Sequence, residues 1–310
     1  MPPSTAARPA THPSAGVLMA LLAAMLWGTT GTAQSLAPAG LSAYWVGALR
    51  LVVAGLFFLL LLRVQGVTWR ASAARLSWPA VLLGGLCMAG YNLAFFAGVK
   101  SSGIAVGTAV AIGSGPIWAG LLDTWVSRRA PALPWWCGTV LAVAGGALLV
   151  GVAEGGLQVR PQGIVLCLAA GFSYAAYVLV NKRLVNQVAP AVATCAVFGT
   201  AALIAAPLAL LIAGPLHLGS TGAGGTAVLV YLGVVTTGVA YLLFSHAQRH
   251  IAASTAVTLA LGEPITAFVL AVVVVGEHPR PSAFAGLLMV LAGLAVVIWT
   301  ELRAARRVGC

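Results

Sequence analysis

Residues 252–277 read AASTAVTLALGEPITAFVLAVVVVGE. Residues 252–275 carry a single charge, Glu263, and as a helix rising 1.5 Å per residue they would span about 36 Å. A bilayer's hydrocarbon is about 30 Å thick, so the stretch is long enough to cross it. The rest of the chain is built the same way. Of 310 residues, 61% are hydrophobic and 7% charged, with mean hydropathy +1.02. A soluble chain carries about 25% charge, because a folded surface must be wetted. That excludes two ordinary soluble domains.

Applied along the chain, the length rule predicts an all-α integral membrane protein of ten transmembrane helices. They run at roughly 16–35, 41–62, 78–98, 103–122, 133–152, 162–180, 191–213, 226–247, 252–275 and 281–301. The first span lacks a basic flank and a clear small-residue cleavage site, so it reads as part of the mature protein. Residues 1–15, rich in Pro, Ala, Ser and Thr, read as a disordered cytoplasmic tail, and 302–310 as a basic cytoplasmic one. All loops are short, which leaves no room for a soluble catalytic module.

Positive residues set the orientation. With the N-terminus inside, the inner segments hold Arg8, Arg63, Arg70, Arg75, Arg128, Arg129, Lys182, Arg183, Arg249, Arg303, Arg306 and Arg307. The outer segments hold only Lys100, Arg160 and Arg280. Both termini are therefore expected in the cytoplasm, in a bacterial inner membrane. The net charge of +11 is scattered singly between apolar runs, which excludes a nucleic-acid partner. Five cysteines show no regular spacing, and four lie inside apolar runs, so they read as small core residues rather than disulfides or metal ligands. No metal and no cofactor is expected.

A shift of 148 residues aligns the two halves. Phe96 falls on Phe244, Pro116 on Pro264, Gly138 on Gly286, and Ala144-Gly145 on Ala292-Gly293. The reading is two five-helix repeats, 16–152 and 162–301. Five is odd, so the second repeat enters the membrane inverted, an arrangement used by many secondary transporters with cargo bound near midplane.

Short motifs mark the spans in a specific order. They are Leu26-Trp27-Gly28, Ala48-Leu49-Arg50, Gly115-Pro116, Gly262-Glu263-Pro264, Gly276-Glu277 and Gly286. On these the chain resembles the EamA-type drug/metabolite transporter superfamily over nearly all of 16–301. Within it the chain looks most like the YddG-type exporters of aromatic and other neutral amino acids. The resemblance implies export of a small molecule, amino acids foremost, from the cytoplasm. The match departs at 123–129, where Asp123-Thr124-Trp125-Val126-Ser127-Arg128-Arg129 replaces a turn like Gly276-Glu277.

Candidate cargo-binding residues follow from position. Glu263 is the only carboxylate well inside a span, about 16 Å deep, and Arg50 is at similar depth. A buried charge on an insertion scale costs about 2.5–3.5 kcal/mol, so each should face a partner or a watery cavity. Arg50 holding a carboxylate and Glu263 an ammonium or a proton is one reading. A mutual structural pair, or a protonated hydrogen-bonding Glu263, are the others. Pro116 and Pro264 lie mid-span in matching positions and read as hinges, or else as packing kinks tolerated by neighbouring helices. Rings and amides recur at helical spacing in Tyr91, Asn92, Phe95 and Phe96, in Tyr174, Tyr177 and Asn181, and in Tyr241, Phe244, Ser245 and Gln248. Such faces suit a ring-stacking cavity, or else core packing. Trp27 and Trp118 sit away from the interfaces and join the cavity candidates. Trp45, Trp69, Trp78, Trp125, Trp135, Trp136 and Trp299 read as an aromatic belt. Small residues at 103, 107, 111 and 114, and at 254, 258, 262 and 266, read as internal packing faces. His246, inside a span near its end, reads as a hydrogen-bonded interface histidine.

An enzyme is not expected: no HExxH, no intramembrane carboxylate pair and no nucleophile–base spacing occurs. Without a GxxxxGK[ST] loop, ATP-driven pumping is unsupported. A nucleotide-sugar carrier would need more basic residues at depth than Arg50. Cationic drugs are the alternative cargo, and a membrane scaffold the alternative class. The chain is expected to work as a monomer.

Overall fold

The computed structural model describes residues 12–35, 42–102, 104–128, 130–149, 161–216, 222–276 and 281–308. Among them every regular element is helical. The first half comprises α1 (Pro13–Gly28), α2 (Thr30–Ser35), α3 (Ala43–Val64), α4 (Trp69–Ala73), α5 (Trp78–Ser102), α6 (Ile104–Ser127) and α7 (Leu133–Leu149). The second comprises α8 (Pro161–Val185), α9 (Pro190–Ala213), α10 (Gly222–Gly233), α11 (Ala240–Ala247), α12 (Ala253–Leu259), α13 (Glu263–Leu270) and α14 (Pro281–Val308). A π-helical turn, Val234–Val239, joins α10 to α11. A 3-10 turn, Ala260–Gly262, joins α12 to α13, and a second π turn, Ala271–Val275, follows α13.

Among the described residues, seven helical stretches are long and apolar enough to cross a membrane, and α1 and α7 are shorter apolar helices. The chain is a multi-pass membrane protein. In hydrocarbon every backbone polar group must be satisfied within the protein, and a helix does this locally. The side chains are arranged accordingly. Leu203 and Leu211 are about four-fifths exposed (78% and 80%), whereas Ala20, Ala23, Ala54, Ala193, Ala201 and Ala240 are fully buried. With lipid outside, large apolar residues gain nothing by turning inward, and small residues let backbones approach.

Helix ends differ from the sequence reading where polar chemistry continues a helix past the apolar run. Pro13 starts α1 inside the expected 1–15 tail, a position that suits proline's fixed φ and missing N–H. Residues 1–11 lie outside the described residues. The last helix continues through the basic segment to Val308. The first span breaks at Thr29 into α1 and α2, and the 63–77 loop holds α4.

The packing partners recur when the two halves are exchanged. α1 lies on α11 and α13, and α8 lies on α5 and α6. α5 lies on α9, and α3 on α10 and the π turn. α3 pairs with α9, α6 with α12, and α7 with α14. The α7–α14 seam is glycine against glycine. A Cβ on Gly138 would stand 2.8 Å from the Gly293 carbonyl, and one on Gly145 would stand 2.6 Å from the Gly286 carbonyl. The small-residue faces pack inside the bundle. Ser114 and Ala111 touch Gly171, Thr258 meets Thr139 at 3.3 Å, and Thr266 touches Gly28.

Candidate functional site

Glu263 opens α13, directly after the 3-10 turn. Pro264 explains the break: it removes one backbone donor and its ring crowds the preceding turn. The Glu263 N–H donates to the Ala260 carbonyl, and the backbone stays helical through Gly262 and Glu263. Gly28 of α1 sits against the same point, where a Cβ would stand 2.6 Å from the Glu263 carbonyl. Only glycine lets α1 come this close, and the neighbouring Trp27 is thereby brought to the level of Glu263.

Arg50 reaches from α3. Its Nε–H donates to the Thr237 hydroxyl at 3.0 Å. Arg50 and Glu263 are each half-buried and interact across space, yet among the described residues they form no contact ion pair. No described residue hydrogen-bonds the Glu263 carboxylate.

Rings from four helices close around this level. Trp27 lies 4.9 Å from Tyr241, 5.1 Å from Phe244 and 6.4 Å from Tyr174, centroid to centroid. Tyr91 of α5 lies 5.4 Å from Tyr174 and 5.9 Å from Phe95. Tyr177 lies 6.0 Å from Tyr241. The Trp27 indole N–H and the Tyr174 hydroxyl are buried without a partner. Unpaired polar tips inside an aromatic cluster are costly unless a ligand or water satisfies them.

The structure does not bring every sequence-predicted residue here. Asn92 donates to the Met88 carbonyl of its own helix at 2.9 Å. Trp118 stands edge-on to Phe172, 5.5 Å away, apart from the ring cluster. Pro116 sits within an unbroken α6, unlike Pro264. The side chain of Phe96 lies outside the described residues. Asn181, Ser245 and Gln248 form a separate buried network at the α8–α11 end: the Asn181 amide donates to both others. His246 bonds the Leu242 carbonyl at 2.8 Å. Of the belt tryptophans, Trp69, Trp78, Trp125 and Trp299 are exposed, but Trp45 and Trp135 are buried, Trp45 donating to the Gly214 carbonyl at 3.0 Å.

Two site residues escaped the sequence reading. Phe198 of α9 is fully buried, 4.8 Å from Tyr241, and its signal was being the sole ring among the small residues of 190–213. Thr237 belongs to a Thr236-Thr237 doublet in the middle of an apolar run.

The two ends of the α10–α11 span differ. An open apolar groove of about 870 Å³ runs along α10 from Gly222 to Val235, past Tyr231, whose hydroxyl meets that of Thr29 at 2.7 Å. At the other end the Lys182 ammonium donates to the Gln248 and Ile251 carbonyls, and Arg249 donates to the Val185 carbonyl. Glu301 accepts from the Ala252 N–H at 3.0 Å and the Thr255 hydroxyl at 2.6 Å, and Asp123 accepts from Ser254.

Residues 14–151 and 161–299 each match the EamA-like transporter family model. The chain is 38% identical over 280 residues to Uncharacterized transporter YwfM of Bacillus subtilis (strain 168), covering 90% of this chain and 92% of that protein. It is 30% identical over 284 residues to Threonine/homoserine exporter RhtA of Escherichia coli (strain K12), covering 91% and 89%. A solved crystal structure at 21% identity superposes with a TM-score of 0.80, over 94% of this chain and 99% of the other, and shares the fold.

Proposed function

We propose that this chain, which belongs to the EamA-like transporter family, is a secondary transporter exporting small neutral amino acids, aromatic ones foremost, across a bacterial inner membrane. The observation that carries the reading is the Arg50–Glu263 arrangement. Two opposite charges stand close enough to interact without pairing, beside Tyr91, Tyr174 and Tyr241, whose ring cluster Trp27 and Phe244 complete. A zwitterion complements both charges at once. Its carboxylate goes to the guanidinium and its ammonium to Glu263, while the rings hold the side chain. The name of the RhtA relative supports neutral amino acids as the class. A purely cationic cargo would leave Arg50 facing a like charge.

Ten spans in two inverted five-helix repeats complete the proposal. The exchange-symmetric packing and the twice-matched family model support it. Alternating access then follows by rocking one half against the other. The Lys182–Gln248–Glu301 lattice is the closed, cytoplasmic side in this reading.

The test is counterflow of radiolabelled tryptophan, phenylalanine, threonine and methionine in proteoliposomes, with and without a pH gradient. Saturable exchange is expected, reduced tenfold or more (~1.4 kcal/mol) in Arg50→Ala and Glu263→Gln while folded protein is retained. Inserted, folded protein that moves none of the four overturns the assignment. A C-terminal fluorescent fusion that glows, with an inactive C-terminal phosphatase fusion, is the expected outcome for a cytoplasmic C-terminus.

A further inference from the structure

The Thr237 hydroxyl makes two hydrogen bonds of opposite sense. It donates to the Leu232 carbonyl at 2.7 Å and accepts from the Arg50 Nε–H at 3.0 Å. A hydroxyl has one hydrogen. With that hydrogen on Leu232, the oxygen facing Arg50 can act only as an acceptor. The donated bond spans five residues rather than four, a reach that belongs to the π winding of Val234–Val239. The neighbouring Thr236 hydroxyl takes the ordinary four-residue bond to the same carbonyl, at 2.9 Å. π turns of this kind often re-aim side chains at functional sites.

The π turn is also wedged against α3, the helix that carries Arg50. A Cβ on Gly233 would stand 2.4 Å from the Val53 Cβ, and one on Gly238 would stand 2.6 Å from the Phe57 ring. Val53 and Phe57 lie one and two turns beyond Arg50 on α3. Thr237 and the Arg50 backbone are therefore held in fixed register, and Thr237 itself is 1% exposed.

A guanidinium has five N–H donors in a planar fork. The Nε–H is committed to Thr237, while the Nη1 and Nη2 groups have no hydrogen-bond partner among the described residues. We infer that Thr237 is a positioning residue that turns the Nη1–Nη2 edge of Arg50 toward the cargo's carboxylate. The inference rests on the carboxylate-holding role proposed for Arg50. A carboxylate meets that edge through two parallel N–H···O bonds, the geometry that distinguishes arginine from lysine. Thr237 touches no cargo and acts through Arg50.

The experiment measures KM and maximal rate of L-phenylalanine and L-threonine counterflow for Thr237→Val, Thr237→Ser, Thr236→Val and Arg50→Gln, each normalised to folded protein. Valine keeps the shape of threonine and removes the acceptor. The expected result for Thr237→Val is a KM raised about tenfold with maximal rate within about twofold, since hydrogen bonds to charged groups matter on this scale. Thr237→Ser should restore the unaltered KM. Thr236→Val, which strips the other hydroxyl from the same carbonyl, should leave KM unchanged. Thr237→Val with an unchanged KM, beside an Arg50→Gln that raises it, overturns the role of Thr237 and leaves that of Arg50. Equal effects of the Thr236 and Thr237 variants show a helix defect and overturn it too. An unchanged KM in Arg50→Gln removes the carboxylate reading and this inference together, as does an unaltered protein that moves neither amino acid.

Discussion

Lys182, Arg249, Glu301 and Asp123 all gather at the α8–α11–α12 corner, where helix ends leave backbone groups unpaired. Lys182 and Arg249 donate to carbonyls there, and Glu301 accepts an N–H. His250 belongs to the same corner and lies outside the spans. Its Nδ1 accepts the His12 backbone N–H at 3.3 Å, tying the start of α1 to the α11–α12 turn. Burial, then the neighbouring His12, Lys182, Arg249 and His246, hold the His250 ring below its ordinary value of 6.5. The neutral form is the one that accepts the bond. The stabilisation is therefore complete above pH 6.5 and is lost as pH falls through the lowered folded-state value. The melting temperature in detergent should fall between pH 7.5 and 5, and His250→Gln should fall less; parallel curves for the two proteins would contradict this. Arg50 and Glu263 were legible in the sequence because a charge at depth is rare. Thr237 was not, because a hydroxyl in an apolar helix ordinarily bonds its own backbone, and only the π winding turns this one to Arg50.

At the scale of elements, the aligned prolines behave differently. Pro264 follows a 3-10 turn that splits its span into α12 and α13, whereas α6 continues unbroken through Pro116. The reason lies in what surrounds them: Glu263 and the close approach of Gly28 occupy the break beside Pro264. Pro264→Ala should let the helix close over this turn and lower the counterflow rate about tenfold, a barrier change of about 1.4 kcal/mol. Pro116→Ala should stay within about twofold, since α6 has no break to repair. Similar losses from both would mean that the two positions hinge alike. Hydropathy placed every long helix, because length and composition alone decide whether a segment suits hydrocarbon. It could not place the π turn of Val234–Val239, which depends on packing against α3.

For the whole molecule, the 148-residue register reappears as contacts. Gly138 aligns with Gly286 and Gly145 with Gly293, and in the fold Gly138 faces Gly293 while Gly145 faces Gly286. A two-fold exchange of the halves carries one contact into the other. Gly145→Leu and Gly293→Leu should therefore destabilise by similar amounts, about 1–3 kcal/mol or more of overpacking, read as matched drops in melting temperature. Gly146→Leu, where a Cβ would meet nothing within 4 Å, should be near neutral. Unequal effects at 145 and 293 would argue against the exchange.

The sequence by itself determined that this is a helical membrane protein, roughly where its long apolar helices run and which family it joins. Those properties reside in composition, span length and short motifs, and each is local. The tertiary structure alone decided which residues of the aromatic faces converge. It drew Trp27, Tyr91, Tyr174, Tyr241 and Phe244 together, added Phe198 and Thr237, and left Trp118 and Asn92 to other contacts. The physical reason is that lipid makes no demand on which face of an apolar helix turns inward. Small-residue packing, glycine against backbone, sets that rotation, and it exists only once the helices meet.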